Sequence, residues 1–432
     1  MSEREGVGIG LMGLGVVGSG VAKALTSGAD AITQQVGCPL ALKAVLVRDL
    51  RKKRAYRVPR ALLTTDPQRL LRDPSIDIVI EVMGGEADAF RYMQEAIQQG
   101  KHVVTANKEV IAKHGLELMR LAAQCKVDLR YEASVGGGIP IVNPFRQDLL
   151  ANKITAIHAI INGTTNYIVT RMAAEDMDFA TALRQAQELG YAEPNPANDV
   201  EGVDAAYKLA ILATLAFHTQ IRPEDIHCEG ISRLAPRDFR YAKELGYAIK
   251  LLAIAKEQNG SVQARVHPAF VPEHMLLAEV DGVFNAIQVQ GDLIGRVIFY
   301  GQGAGSLPTS SAILADVIHI AQNIRLGIPP KPQPQFDAPK KILPISEIKT
   351  RYYMRMTIAD QPGVLARISR VLGDHSISIA SVIQKEADPS AQTAEIVIMT
   401  HPAQEAAVQK ALRKTVALSV VREMGNLIRV ED

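Results

Sequence analysis

Cysteine is scarce. Three residues in 432, Cys38, Cys125 and Cys228, lie far apart and in no Cys-x-x-Cys or Cys/His spacing. That excludes a disulfide framework and a zinc motif, and it points to a reducing compartment. No apolar run reaches the ~20 residues a membrane helix needs, so no membrane partner is expected. Long blocks of one charge are missing too: 48 Lys and Arg stand against 46 Asp and Glu, for a net charge of +2. Nothing therefore favours nucleic acid or an anionic membrane surface as a partner. The opening MSEREGVGIG has acidic residues and no long apolar core, so it does not read as a signal peptide, and the cytoplasm is the expected location. What is present is 47% hydrophobic and 22% charged, which suits a globular chain of two or three domains.

Residues 1–145 alternate short apolar runs with helical stretches. VGIGLMG, ALKAVLV (41–47), IDIVIEV (76–82), HVVTA (102–106) and VDLRYEA (127–133) read as strands. VVGSGVAKALTSGADAITQQV, 86–99 and 109–124 read as helices between them. Buried strands joined by helices imply a doubly wound parallel sheet. Residues 146–305 read as a mixed α+β domain. It has a strand at 153–163, helices at 178–189, 199–218 and 238–246, and strands in YAIKLLAIAKE, SVQARVHPAFV and DLIGRVIFYG. The helix at 308–324 is expected to return to the first domain, with 306–328. A proline-rich linker follows at 329–349. Residues 350–432 have the order βαββαβ, a ferredoxin-like arrangement.

Between the first strand and first helix stands Gly13-x-Gly15-x-x-Gly18. Glycines at this spacing allow a tight turn, close approach to a pyrophosphate and close helix–strand packing. In this context the motif predicts a dinucleotide site of Rossmann type. The second strand ends in VLVRDLRKKR. Arg48 there suits a 2′-phosphate, so NADP(H) is preferred, while Asp49 keeps NAD(H) open.

The run AAYKLAILATLAF (205–217) holds one charge, Lys208. It reads as a buried helix, where a lone lysine is costly unless paired or used. Asp204 lies four residues before Lys208 and shares its helix face. Asp199 is placed as an N-cap, and Glu193 sits in a loop closed by Pro194 and Pro196. Three acids and a lysine could bind an amino group and move a proton. A self-neutralising Asp204–Lys208 pair is the structural alternative. Lys108 in TANKE follows the strand 102–106, at the carboxyl edge where such sheets bind ligands. INGTTNYI (161–168) gathers Gly163, Thr164, Thr165 and Asn166 after a strand.

These stretches, with YEASVGGGIP, GYAEPNPANDVEGVDAAYKLAIL and GQGAGSLPTSSAILAD, resemble homoserine dehydrogenase, in its bacterial form with a C-terminal ACT domain. The resemblance implies a Rossmann-type domain, an α+β catalytic and dimerisation domain, and an ACT domain. It implies reversible NAD(P)H-dependent reduction of aspartate 4-semialdehyde to homoserine, on the route to threonine and methionine. Lys208 would be the proton donor and Lys108 its neighbour, which also contacts cofactor. Gly13, Gly15, Val16, Val17, Gly18, Arg48 and Gly303 would hold the dinucleotide. Glu193, Asp204, Asp199, Tyr191, Gly163 and Thr164 would hold substrate. Backbone oxygens of Glu132, Val135, Gly137 and Ile139 would ligate a monovalent cation, usually sodium. Threonine would be the allosteric ligand, near Asp360, Gly363, Val364 and Leu365. A homodimer or homotetramer is expected. The alternatives are another amino- or hydroxy-acid dehydrogenase, or a non-catalytic dinucleotide-sensing regulator, which would lack the acid–base group around Lys208.

Overall fold

The computed structural model describes residues 6–331, 336, 339–388 and 390–431. The stretch expected as a linker at 329–349 thus falls in part outside the described residues. The chain divides into two compact units, each discontinuous in sequence. One comprises Met1–Ile154, Tyr207–Pro223 and Gln290–Pro339; the other comprises Thr155–Ala206, Glu224–Val289 and Lys340–Asp432.

The first unit is built on six strands: β1 (Val7–Met12), β2 (Leu40–Leu46), β3 (Leu63–Thr64), β4 (Ile78–Glu81), β5 (His102–Thr105) and β6 (Leu129–Arg130). All neighbours are parallel, in the order β3-β2-β1-β4-β5-β6. This is the doubly wound order, in which ligands bind beyond the carboxyl ends of β1 and β4, where the winding reverses. β1 and β4 are buried along their whole length, as helices on both faces require. Val21 and Leu25 of the helix Val16–Ser27 and Ile313, Val317 and Ile320 of the helix Ser306–Leu326 close the core over Ile9, Leu11, Val45 and Ile80.

Three local expectations need correction. The single helix expected after the glycine loop is two, Val16–Ser27 and Ala29–Val36, broken at Gly28, a residue that weakens helix interiors. The strand expected over 127–133 is only Leu129–Arg130, because Glu132–Ser134 coil into a 3-10 turn. The helix expected from 199 begins at Val203, after a separate turn at Ala197–Val200.

In the second unit Phe284–Gly291, Ile154–Ile160, Tyr247–Gln258, Ser261–Pro272, Val421–Val430, Lys349–Ala359, Thr393–Thr400 and Ile379–Asp388 lie side by side in that order. The strand Phe284–Gly291 escaped the sequence reading because two polar residues, Asn285 and Gln288, interrupt its apolar run and are nonetheless buried. The βαββαβ module is present, with strands Lys349–Ala359, Ile379–Asp388, Thr393–Thr400 and Val421–Val430 and helices Val364–Asp374 and Glu405–Val416. Alternation puts Tyr352, Met354, Met356 and Ile358 into its core with Ile368, Leu372, Val408 and Ala411. The opposite face carries Tyr353 and Arg355. There the Arg355 Nε donates to Asp238 of the helix Pro236–Glu244 at 2.7 Å, and the Tyr353 hydroxyl donates to the same carboxylate at 3.1 Å.

The module's sheet does not end with its own strands. Val421–Val430 also pairs in parallel with Ser261–Pro272, through Ala269–Arg429 and Phe270–Val430. Buried charges cross this seam. Arg429, 1% exposed, donates to Glu405 at 2.8 Å and to Glu229 at 2.9 Å. Glu431 accepts from Lys256 at 2.6 Å and pairs with Arg265. His267 is wholly buried, and burial, reinforced by Arg429 and Arg265, pushes its pKa down to about 3. Among the described residues no helix is long and apolar enough to cross a membrane.

Candidate active site

The residues with chemistry fall into two groups, one in each unit, and each is described by itself. In the first unit the three motif glycines do three different jobs. Gly13 turns the chain with φ +100°, and a Cβ there would lie 2.6 Å from the Val82 carbonyl oxygen. A Cβ on Gly18 would lie 2.1 Å from the Gly13 carbonyl oxygen, so this glycine lets helix and strand touch. At Gly15 a Cβ would meet nothing within 4 Å; the backbone is bare towards open space, as a phosphate cradle requires. Val16 opens the helix, 73% exposed, and Val17 packs on the core. A second helix N-terminus stands beside the first, since Ser306 Oγ donates to the Val16 carbonyl at 2.9 Å. Gly20 permits this contact: its Cβ would sit 2.6 Å from Ser306 Oγ and 2.5 Å from Ser310 Oγ. Two positive helix ends beside a glycine cradle favour an anion, so the chain fits a dinucleotide pyrophosphate on its own geometry.

Arg48 is exposed two residues past β2. The Asp49 carboxylate accepts from the Arg51 N–H at 2.8 Å, so it is committed to its own turn. Lys108 is the first residue of the helix Lys108–Cys125, capped by Asn107, whose side chain accepts from the Val110 N–H. A cation at that end opposes the helix dipole by about 0.3–1 kcal/mol. Local rules are broken in this way mainly where function demands it.

Lys208 lies on the helix Val203–Phe217, one turn beyond Asp204. The expectation of a buried lysine needs correction. Val203 is exposed and Tyr207 and Lys208 are half-buried, while Leu209–Ala213 are buried. Part of the first two turns is open, and a lysine can lay its stem on apolar surface there while its ammonium reaches out.

Gly137 and Gly303 come together: a Cβ on Gly137 would lie 2.5 Å from the Gly303 carbonyl oxygen. Gly136 and Gly137 both have positive φ, +73° and +57°, and they turn the chain between Val135 and Ile139. The Glu132 carboxylate accepts from the N–H groups of Ile141 and Asn143 at 2.6 Å and of Val142 at 2.9 Å. Burial raises its pKa, the neighbouring Asp316 adds to that, and these N–H groups oppose it. Its side chain therefore caps the following helix, and only its backbone oxygen remains for a cation. Among the described residues no cluster of His, Cys, Asp and Glu could hold a metal ion. A tight glycine turn fits a cation bound by carbonyl oxygens alone.

In the second unit the organising residue is Asn162, which the sequence reading passed over. Its Oδ1 accepts from the Thr165 N–H at 2.8 Å and caps the helix Gly163–Glu175. Its Nδ2 donates to Asp199 at 2.7 Å and to buried Asp204 at 2.9 Å. Two of the expected carboxylates are thus held on one amide. Asp199 is not a cap of the long helix; it sits in the turn Ala197–Val200. Thr164 Oγ1 donates to the Tyr191 carbonyl at 2.7 Å, and the Tyr191 ring lies 5.0 Å from that of Tyr167. Glu193 is exposed, and its backbone carbonyl accepts from Gln187 at 3.1 Å. Gly163 must be glycine, since its Cβ would lie 2.8 Å from the Val283 carbonyl oxygen. The Asn-x-x-Thr spacing before a helical run was the legible signal for Asn162.

In the βαββαβ module Gly363, at φ +85°, caps the helix Val364–Asp374. Asp360 and Leu365 are exposed, whereas Val364 is buried with its side chain in the core.

Comparison with known proteins gives three family matches. The description Homoserine dehydrogenase matches residues 140–318, its NAD binding domain matches 13–132, and the ACT domain matches 352–417. The homoserine dehydrogenase of Bacillus subtilis is 39% identical over 429 residues, covering 99% of each chain. That of Neisseria gonorrhoeae is 41% identical over 432 residues, again covering 99% of each. A solved homoserine dehydrogenase from Thiobacillus denitrificans superposes with a TM-score of 0.91 at 42% identity, over 99% of this chain and 98% of that one. A hyperthermophilic archaeal homoserine dehydrogenase in complex with NADPH superposes with a TM-score of 0.61 at 26% identity, over 76% of this chain and all of that one.

Proposed function

The chain belongs to the homoserine dehydrogenase family, an oxidoreductase family with a nicotinamide dinucleotide cofactor, and from that premise we propose that it reduces aspartate 4-semialdehyde to homoserine, reversibly, in the synthesis of threonine and methionine. The observation that carries the reading is Asn162 holding Asp199 and Asp204 together, with Lys208 one turn further along the helix that bears Asp204. Paired carboxylates suit the substrate's α-ammonium. A lysine ammonium can stabilise and protonate the alkoxide that forms when hydride reaches the aldehyde carbon. The reduced nicotinamide supplies that hydride when bound. Gly13, Gly15, Val16, Val17, Gly18, Lys108 and Gly303 hold the dinucleotide, and Lys108 assists the proton transfer. Glu193, Tyr191, Gly163 and Thr164 complete the substrate pocket. A sodium-like cation sits on the carbonyl oxygens of Glu132, Val135, Gly137 and Ile139. Residues 1–145 with 306–328 serve the cofactor, 146–305 the substrate and assembly as a homodimer or homotetramer, and 350–432 regulation, in a cytoplasmic enzyme. NADPH oxidation driven by aspartate 4-semialdehyde is the deciding assay; no turnover with NADPH or NADH would overturn the proposal.

Arg48 makes NADP(H) the preferred cofactor. The Arg48→Ala variant should weaken NADPH binding by about tenfold or more, as the loss of a charge-assisted contact to phosphate implies, and leave NADH nearly unchanged. Equal losses in parallel titrations would remove Arg48 from that role. The turn Asp360–Leu365, with Gly363 and the backbone of Val364, binds threonine. Millimolar-order threonine should suppress turnover, and Asp360→Ala should relieve that inhibition without lowering activity in its absence. Turnover indifferent to threonine would leave the ACT domain to another ligand or to assembly.

A further inference from the structure

Glu81 ends β4 with no exposed surface. The strand reads IVIE, and its last residue is a carboxylate at the carboxyl edge of the sheet, beside the glycine loop. Burying a carboxylate is costly, and an apolar residue of similar size would fill the space at lower cost. Its oxygens, however, organise two loops. Oε1 accepts from the Met83 N–H at 2.8 Å, and Oε2 accepts from the Thr105 hydroxyl at 2.6 Å. Thr105 ends β5, and its Oγ1 accepts in turn from the Asn107 N–H at 2.9 Å. Asn107 then faces both ways. Its Nδ2 donates to the Gly85 carbonyl at 2.7 Å, and its Oδ1 accepts from the Val110 N–H at 3.2 Å.

One carboxylate therefore ties the loop 82–85 to the turn 105–107. The loop lies against the nucleotide motif: a Cβ on Gly13 would lie 2.6 Å from the Val82 carbonyl oxygen and 3.0 Å from the Met83 nitrogen. The turn delivers Lys108 at the head of its helix. Burial raises the Glu81 pKa, and the hydrogen bonds from Thr105, Met83 and Asn107 oppose the rise.

We propose that Glu81 is a positioning residue for the dinucleotide crevice: through Met83 it sets the wall facing Gly13, and through Thr105 and Asn107 it sets the backbone that presents Lys108. The proposal rests on the reading of this crevice as the cofactor site. It concerns the arrangement of the crevice, and Glu81 itself touches neither cofactor nor substrate in this role.

The test compares the full-length wild-type chain with Glu81→Gln, which keeps the size and one acceptor oxygen but presents an amide NH₂ towards Thr105. Expected are an NADPH Kd raised about tenfold by fluorescence titration, kcat lowered about tenfold, a semialdehyde KM within twofold, and faster amide exchange at Val110. A folded Glu81→Gln protein with wild-type NADPH affinity and Val110 exchange overturns the proposal, as does a lower melting temperature with affinity and kcat unchanged. Should Glu81→Gln fail to fold, Thr105→Ser and Thr105→Val decide: the first keeps the bridging hydroxyl and should match wild type, the second should reproduce the losses. Two equal variants overturn the proposal. If the wild type does not turn over the semialdehyde, the functional reading fails, and NADPH titration with amide exchange still judges Glu81.

Discussion

Replacing Lys208 by alanine should lower kcat for semialdehyde reduction by about 10²–10⁴-fold, the usual worth of a positioned general acid. NADPH should still bind within about twofold, because the glycine cradle of Gly13, Gly15 and Gly18 is formed by backbone without Lys208. Stability should change little. Lys208 is half-buried on a helix whose other positions are largely apolar and buried, and alanine is a better helix former than lysine. The combination is diagnostic. A lysine that served only to neutralise Asp204 would leave turnover nearly intact when removed, and would cost stability by leaving a buried carboxylate behind. Steady-state kinetics and a thermal melt on one preparation separate the two roles.

Arg429→Met should lower the melting temperature by about 10 °C or more. The guanidinium is 1% exposed between Glu405 and Glu229. Removing one partner from a buried ion pair costs about 3–5 kcal/mol, because the other charge stays buried without compensation. For a unit of this size each kcal/mol is worth about 2–4 °C. The penalty should depend on pH with a defined sign. Burial pushes both carboxyls up, but Arg429, with His227 at Glu229, more than reverses this and holds them below their ordinary values. Their stabilisation is therefore complete above the ordinary carboxylate range and lost as the pH falls through the native values. The gap between wild type and variant should narrow in acid. A melting temperature that Arg429→Met leaves unchanged at neutral pH would show that the seam contributes nothing.

Much of this was legible because the relevant features are local. Gly13, Gly15 and Gly18 announce the turn by their spacing; the structure gives Gly13 and Gly18 a steric reason and leaves Gly15 facing open space. The βαββαβ order followed from strand and helix periods separated by clear turns. What escaped depends on partners remote in sequence. The capping role of Asn162 is local, but its hold on Asp199 and Asp204, some forty positions away, is not. Glu81 closed an apolar strand, and nothing nearby in sequence reveals that Thr105 reaches it. Lys208 was expected inside because the composition of its helix says buried, yet composition cannot tell which side of a turn stays open. The strand 284–291 was hidden by Asn285 and Gln288, polar side chains that only tertiary packing can bury.

The parallel pairing of Ala269 with Arg429 also sets a timetable for the newborn chain. About 160 residues separate the two, which synthesis at ~5–20 residues per second covers in roughly 10–30 s. Through that interval Ser261–Pro272 has its Tyr247–Gln258 hairpin partner and, at Arg265–Val266, the short segment His227–Cys228, but its edge at Ala269–Phe270 waits unpaired, and open edges recruit other strands. His267 and Arg265, which the finished protein seals away, remain on that strand. Their positive or protonatable groups discourage wrong partners until Val421–Val430 emerges carrying Arg429 and, just after it, Glu431. Arg265, one half of the ion pair that later closes the seam, thus guards the waiting edge before Glu431 arrives.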